Sequence, residues 1–67
     1  MPSDIQFKQV RRLLEAHGWV LSRIHGSHHI FTKPEAQTVS IPVHHRKVKA
    51  IYVKQIEKLI ADEKEQA

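Results

Sequence analysis

The spacing of the apolar residues changes twice along this chain, and that change restricts the folds open to it. Phe7, Val10 and Leu14 recur at intervals of three and four residues, which is typical of one face of an amphipathic helix. Between residues 19 and 43 the apolar residues come instead in short runs, and the last run alternates with polar residues as in a strand. Helical spacing returns from Val48 onward. The pattern predicts a helix, a group of strands and a second helix.

Turn and cap residues set the boundaries of these elements. Ser3 is a suitable N-cap, and Gly18 can take the positive φ that often ends a helix. Gly26 supplies a short turn between two strands, and Pro42, which lacks an N–H, marks a strand end or a sheet edge. The predicted elements are a helix over 4–17, strands over 19–24, 28–33 and 38–43, and a helix over 47–63. The expected fold class is α+β, with the order α-β-β-β-α and both helices on one face of a three-stranded antiparallel sheet.

The length and the lack of cysteine exclude several kinds of protein. We expect the 67 residues to form one domain, held by packing alone because no disulfide can form. The chain is too short for a dinucleotide-binding fold or a barrel. No apolar run approaches the roughly 20 residues that a membrane span needs, and no signal peptide is recognisable. We therefore expect a cytoplasmic protein with no membrane partner.

Positive charge is concentrated in the middle of the chain. Residues 8–54 contain nine Lys or Arg and two acids, a net charge of +7, whereas the remaining residues sum to −3. Such a basic body predicts a polyanionic partner, although a solvated basic surface without a partner has the same composition. The cations expected to hold phosphates are Arg23, Lys33, Arg46, Lys47 and Lys49. Several of them, with His45, fall near the predicted start of the second helix, an arrangement typical of phosphate binding.

Histidine is the residue type that points to chemistry, since the chain has six. Imidazole exchanges protons near neutral pH, and RNA provides its own nucleophile in the 2′-hydroxyl. A histidine beside cations can therefore cleave RNA without a metal. His28 and His29 are neighbours on a predicted strand, so they face opposite sides and cannot both serve one site. The spacing of the apolar residues does not show which of the two histidines serves the site, because Ile30 and Phe31 are both apolar.

The same histidines allow a metal site as an alternative. His28 with His44 or His45 has the ligand type for zinc or nickel. However, no carboxylate or thiolate is placed to complete the shell, and no helical pair of histidines four residues apart is present. We therefore expect no metal and no cofactor. His17 and His25 are expected to be surface residues without a role.

Three runs of residues together resemble the HicA toxins of bacterial toxin–antitoxin systems. They are Gly18-Trp19, the run from Gly26-Ser27-His28 to Phe31, and Val39-Ser40-Ile41-Pro42-Val43-His44. The resemblance implies a fold like that of double-stranded RNA-binding domains, and an mRNA interferase that a HicB antitoxin neutralises. It also implies that His28 is the catalytic histidine, with Gly26 and Ser27 shaping the turn that presents it.

The resulting hypothesis is a metal-independent endoribonuclease toxin in which His28 acts as general acid or base. His44 or His45 is the expected second proton-transfer group. If His28 faces the uncovered side of the sheet, Phe31 points inward with His29, and a partly exposed Ile30 beside His28 suits an antitoxin contact. The alternative is a non-catalytic module that binds double-stranded RNA through its shape.

Overall fold

Two helices and two small antiparallel sheets make up the fold, as described for residues 4–66 by a computed structural model. The elements are β1 (Asp4–Gln6), α1 (Phe7–Ala16), β2 (Val20–His25), β3 (His28–Thr32), β4 (Val39–Pro42), β5 (Lys47–Lys49) and α2 (Ala50–Gln66). One sheet has the order β2-β3-β4, and the other pairs β1 with β5. The predicted α+β class and the three-stranded antiparallel sheet with two helices are confirmed. Neither helix is long and apolar enough to cross a membrane within these residues.

The core lies between the three-stranded sheet and the two helices. Phe31 of β3 and Ile41 of β4 are almost completely buried and pack with Leu14 of α1 and Ile56 of α2 in one hydrophobic cluster. Phe31 and Ile41 project from the same face of the sheet, so both helices cover that face.

The end of α1 follows the predicted glycine cap. The N–H of Gly18 donates to the carbonyl of Glu15 at 3.1 Å, and the N–H of Trp19 donates to that of Leu14 at 3.0 Å. These two bonds define a Schellman motif, with Gly18 at φ 97° and with Trp19 and Leu14 buried in the same hydrophobic cluster. Trp19 belongs to this cap, so β2 begins one residue later than predicted.

The predicted starts of both helices are wrong, because each first turn is instead a short strand. Residues 4–6 form β1, residues 47–49 form β5, and Ile5 pairs with Val48. Val48 is fully buried as a strand residue, although its spacing also fits the helical stripe that follows. Ser3, the predicted cap, lies outside the described residues. At its other end, α2 runs to Gln66, beyond the predicted residue 63.

Pro42 lies at a position of β4 where its missing N–H removes no hydrogen bond from the ladder. The N–H of Val43 donates to the carbonyl of Ser27 at 2.7 Å, so Pro42, one residue earlier and opposite His28, occupies a non-hydrogen-bonded position of the ladder. The position where its N–H would be therefore faces the free edge of β4, as expected from the sequence.

The difference in burial between Ile41 and Ile24 predicts that the same substitution has different effects on stability at the two positions. Ile41 is 1% exposed and Ile24 is 57% exposed. We expect Ile41→Val to lower the free energy of unfolding by about 0.5–1.5 kcal/mol, because it leaves a methyl-sized cavity. Ile24→Val should stay within about 0.5 kcal/mol of the unchanged protein. Urea denaturation followed by circular dichroism measures both, and equal losses would contradict the described core.

Candidate functional site

Strand β3 presents its two histidines to opposite faces of the sheet. His29 pairs with Ile41 and lies on the inner face, where its ring is 4.5 Å from that of Phe7 and its Nδ1 is buried without a hydrogen-bond partner. His28 is exposed, with its side chain on the other face. Phe31 points inward with His29, as expected, and Ile30 is half-buried beside His28. The structure therefore leaves the His28 side chain exposed and packs the His29 ring against Phe7.

The uncovered side of the three-stranded sheet is called the open face here. Residues directly opposite each other on antiparallel strands share a face, so the register around His28, Ile30 and Thr32 identifies its members. The register and the contact between the Ser22 and Thr32 hydroxyls assign to the open face Val20, Ser22, Arg23, His25, His28, Ile30, Thr32, Ser40 and Pro42. No element among residues 4–66 packs over it, and Val20 is 61% exposed. This face of the three-stranded sheet is therefore accessible to a large ligand.

A β-bulge brings Arg23 onto the open face. The register of β2 shifts between Leu21, which pairs with the inward Phe31, and Arg23, which pairs with the outward Ile30. Without the extra residue, Arg23 would point inward like Leu21. The bulge thus places the Arg23 side chain on the same face as His28, as its diagonal neighbour across the β2–β3 pair. Diagonal neighbours of this kind are typically about 7–8 Å apart. That distance allows both side chains to reach one phosphodiester.

The turn between β2 and β3 fixes the position of His28. Gly26 has φ 62° and Ser27 does not have a positive φ, the pattern of a two-residue type II′ hairpin turn with glycine at its first central position. A Cβ at Gly26 would meet no atom within 4 Å, so the backbone conformation alone requires glycine there. The Ser27 carbonyl accepts the N–H of Val43, which ties the turn to the chain beyond β4.

Ser40 contacts the imidazole of His28. Its Oγ lies 3.4 Å from Nδ1 of His28 across the β3–β4 pair. If Nδ1–H donates to this hydroxyl, Nε2 keeps its lone pair and can accept a proton. Sequence analysis did not single out Ser40, although its alternation with Ile41 places it on the outward side of the strand.

The predicted basic loop is a tight hairpin turn between residues 44 and 47. His44 and Lys47 exchange two backbone hydrogen bonds, at 3.0 and 2.9 Å, while His45 and Arg46 both have positive φ, 53° and 65°. This is a type I′ pattern, which normally favours Asn-Gly. The basic residues 45–49 therefore lie on this turn and on β5. The prediction that they lie at the N-terminus of the second helix is wrong, because α2 begins at Ala50.

Two depressions flank this turn. The larger, about 380 Å³, is lined by Gln6, Phe7, Lys8, His45, Arg46 and Lys47. The smaller, about 140 Å³, is lined by Asp4, Pro42, His44, Lys47, Lys49 and Tyr52. Pro42 is directly opposite His28, so the smaller depression begins beside the open face. Cationic side chains therefore extend from the His28 side of the sheet to the turn at residues 44–47.

Lys33 lies apart from the other predicted phosphate contacts. It follows the far end of β3, about 16 Å of strand from His28. Its Nζ pairs with Glu63 at 2.7 Å and lies 4.6 Å from the centre of the Trp19 ring. The structure does not bring Lys33 to His28, and a phosphate there would have to displace Glu63.

The histidines are not arranged as a metal site in the described residues. No group of three or more His, Asp or Glu side chains between residues 4 and 63 is close enough to hold an ion. His44 and His45 lie on the 44–47 turn, each beside a different depression. His25, expected to be a surface residue without a role, is exposed and lies directly opposite His28.

Comparison with known proteins identifies a family. A family model described as the HicA toxin of bacterial toxin-antitoxin systems matches residues 7–61. This range includes α1, the whole three-stranded sheet, both hairpin turns and most of α2. No curated protein and no solved structure matches the chain.

Proposed function

The chain belongs to the HicA toxin family of bacterial toxin–antitoxin systems, and from this membership and the open-face histidine we propose that it is an endoribonuclease that cleaves mRNA in the cytoplasm. The observation that supports the proposal most is the exposure of His28 on a sheet face that no described helix covers. An extended polynucleotide can reach such a surface without any opening of the fold.

In the proposed reaction the substrate supplies the nucleophile. Nε2 of His28 accepts the proton of a ribose 2′-hydroxyl while O2′ forms a bond to the adjacent phosphorus. The bond from phosphorus to O5′ breaks, and O5′ takes a proton from a second acid. The products are a 2′,3′-cyclic phosphate and a 5′-hydroxyl end. An imidazole that transfers the proton and cations that stabilise the phosphorane suffice for this chemistry, so no metal is required.

Ser40 has a positioning role in this proposal. A hydrogen bond from Nδ1 of His28 to the Ser40 hydroxyl, now 3.4 Å long, would hold the ring in the tautomer whose Nε2 is free. Gly26 and Ser27 contribute by fixing the backbone from which the ring projects.

The cations are proposed to guide the RNA backbone across the molecule. Arg23 shares the open face with His28 and is the cation proposed to stabilise the reacting phosphate. Arg46, Lys47 and Lys49 would hold phosphates further along the strand, beside the depressions at the 44–47 turn. Lys33 is the weakest member of this set, because its ammonium already pairs with Glu63.

Family membership implies an antitoxin partner, and we propose that a HicB-type antitoxin covers the open face. Val20 is exposed there and Ile30 is half-buried, so a partner would find apolar area as well as the Arg23 charge. An acidic antitoxin surface would compete with RNA for the same cations.

Replacing His28 tests the reaction directly. We expect purified His28→Ala protein to cleave a long RNA about 10²–10⁴-fold more slowly than the unchanged protein, because the general base is lost. The matched control is His29→Leu, which removes the neighbouring histidine from the inner face and leaves no buried nitrogen unpartnered. Circular dichroism verifies that both variants are folded.

Two results would contradict this assignment. If His28→Ala retains cleavage, His28 is not the base. If the unchanged protein shifts duplex RNA in a gel, leaves it intact and does not arrest growth when expressed, the protein is a binding module and not a nuclease.

The phosphate-binding cations predict a change in salt dependence. On single-stranded RNA, replacing Arg46 and Lys47 with Gln should make the negative slope of log affinity against log salt shallower by about 0.7 for each phosphate that the variant no longer neutralises. Fluorescence anisotropy with a 2′-O-methyl oligonucleotide measures this without cleavage. Lys58→Gln, an exposed position on α2, is the control that should leave the slope unchanged. A similar decrease for Lys58→Gln would indicate nonspecific charge attraction.

A further inference from the structure

We propose that His25 is the second proton-transfer group of the active site and that it protonates the leaving O5′. This inference rests on the proposed ribonuclease activity and adds the catalytic acid to it. It follows from the register of the β2–β3 hairpin, which pairs His25 directly with His28.

The two histidines have a fixed spacing on the same face of the sheet. Directly opposite residues of an antiparallel pair have Cβ atoms about 4.5–5.5 Å apart, with side chains on one side. His25 and His28 are both exposed, and both flank the two-residue turn at Gly26 and Ser27. Because this turn and the ladder hold the two backbones together, neither imidazole depends on a mobile loop for its position.

This pair meets the geometric need of the reaction. In the displacement, O2′ attacks phosphorus on the side opposite to the departing O5′, so the base and the acid must approach the phosphate from two sides. Two imidazoles from adjacent strands can lie on either side of one phosphodiester. His28 gains the proton lost by the 2′-hydroxyl, and His25, in its imidazolium form, gives a proton to O5′ as the bond from phosphorus to O5′ breaks. The protein has no net change in protons after one turnover.

The other two histidine candidates have less direct positions. His44 and His45 belong to the 44–47 turn, where His44 lines the depression shared with Lys49 and Tyr52. His45 lines the other depression, beside Lys8. Neither is paired in register with His28, which faces Pro42 on the β4 side. His25 is therefore the candidate for which the backbone itself specifies proximity.

A substrate with a sulfur leaving group separates an acid from a merely structural residue. With ordinary RNA, His25→Ala should lower the single-turnover cleavage rate by about 10²–10⁴-fold. It should also remove the limb of the pH–rate profile along which activity falls as pH rises, because that limb reports the protonated acid. When the O5′ at the scissile bond is replaced by sulfur, the leaving thiolate needs no proton. His25→Ala should then recover a rate close to that of the unchanged protein, whereas His28→Ala should remain slow.

Each other outcome has a definite meaning. Retained cleavage of ordinary RNA by His25→Ala, or failure of the sulfur substrate to rescue a folded variant, overturns the role of His25. Loss and sulfur rescue in His44→Ala or His45→Ala would assign the acid to that residue and leave the proposed nuclease intact. If the unchanged protein cuts neither substrate, the nuclease proposal is overturned and the role of His25 with it.

Discussion

Burial of Phe31 is the constraint on which the arrangement of the site depends. The ring is completely buried between the sheet and the helices, so β3 cannot rotate or slip by one residue without exposing it. Because side chains alternate along a strand, this anchoring directs His29 inward against Phe7 and His28 outward. The same packing that stabilises a small core therefore determines which imidazole faces the solvent. The proposed catalytic residue His28 and the core residue Phe31 lie three positions apart on one five-residue strand.

Two tight turns then gather polar groups at one end of the sheet. The Gly26-Ser27 turn fixes His25 opposite His28, and the turn at residues 44–47 projects a second basic group near Pro42. The second turn holds His45 and Arg46 at positive φ, a conformation that costs on the order of 1–3 kcal/mol for a residue other than glycine. Strain of this kind is common at functional sites. At these two positions the turn presents an imidazole and a guanidinium, which the usual Asn-Gly could not supply.

The sequence predicted the parts of the fold that have long or distinctive patterns. The helical spacing along α1 and α2, the Gly18 cap and the alternation of Val39 and Ile41 were sufficient to predict both helices and the main sheet. The β1–β5 sheet was missed, because three-residue strands have too little periodicity and Val48 fits both a strand and a helix. Within the site, the outward position of His28 came from the family resemblance. The position of Arg23 depends on a bulge, and that of His25 on register, neither of which a single sequence reveals.

The account as a whole depends on RNA binding across the open face, with His25 and His28 at the reacting phosphate. Nuclear magnetic resonance of the six histidine rings, during titration with a 2′-O-methyl oligonucleotide that cannot be cleaved, tests this most directly. The account predicts that the ring signals of His25 and His28 shift together with saturable binding, while the signal of His29, packed beneath Phe7, stays nearly unchanged. Saturable binding that leaves the His25 and His28 signals unmoved would contradict it.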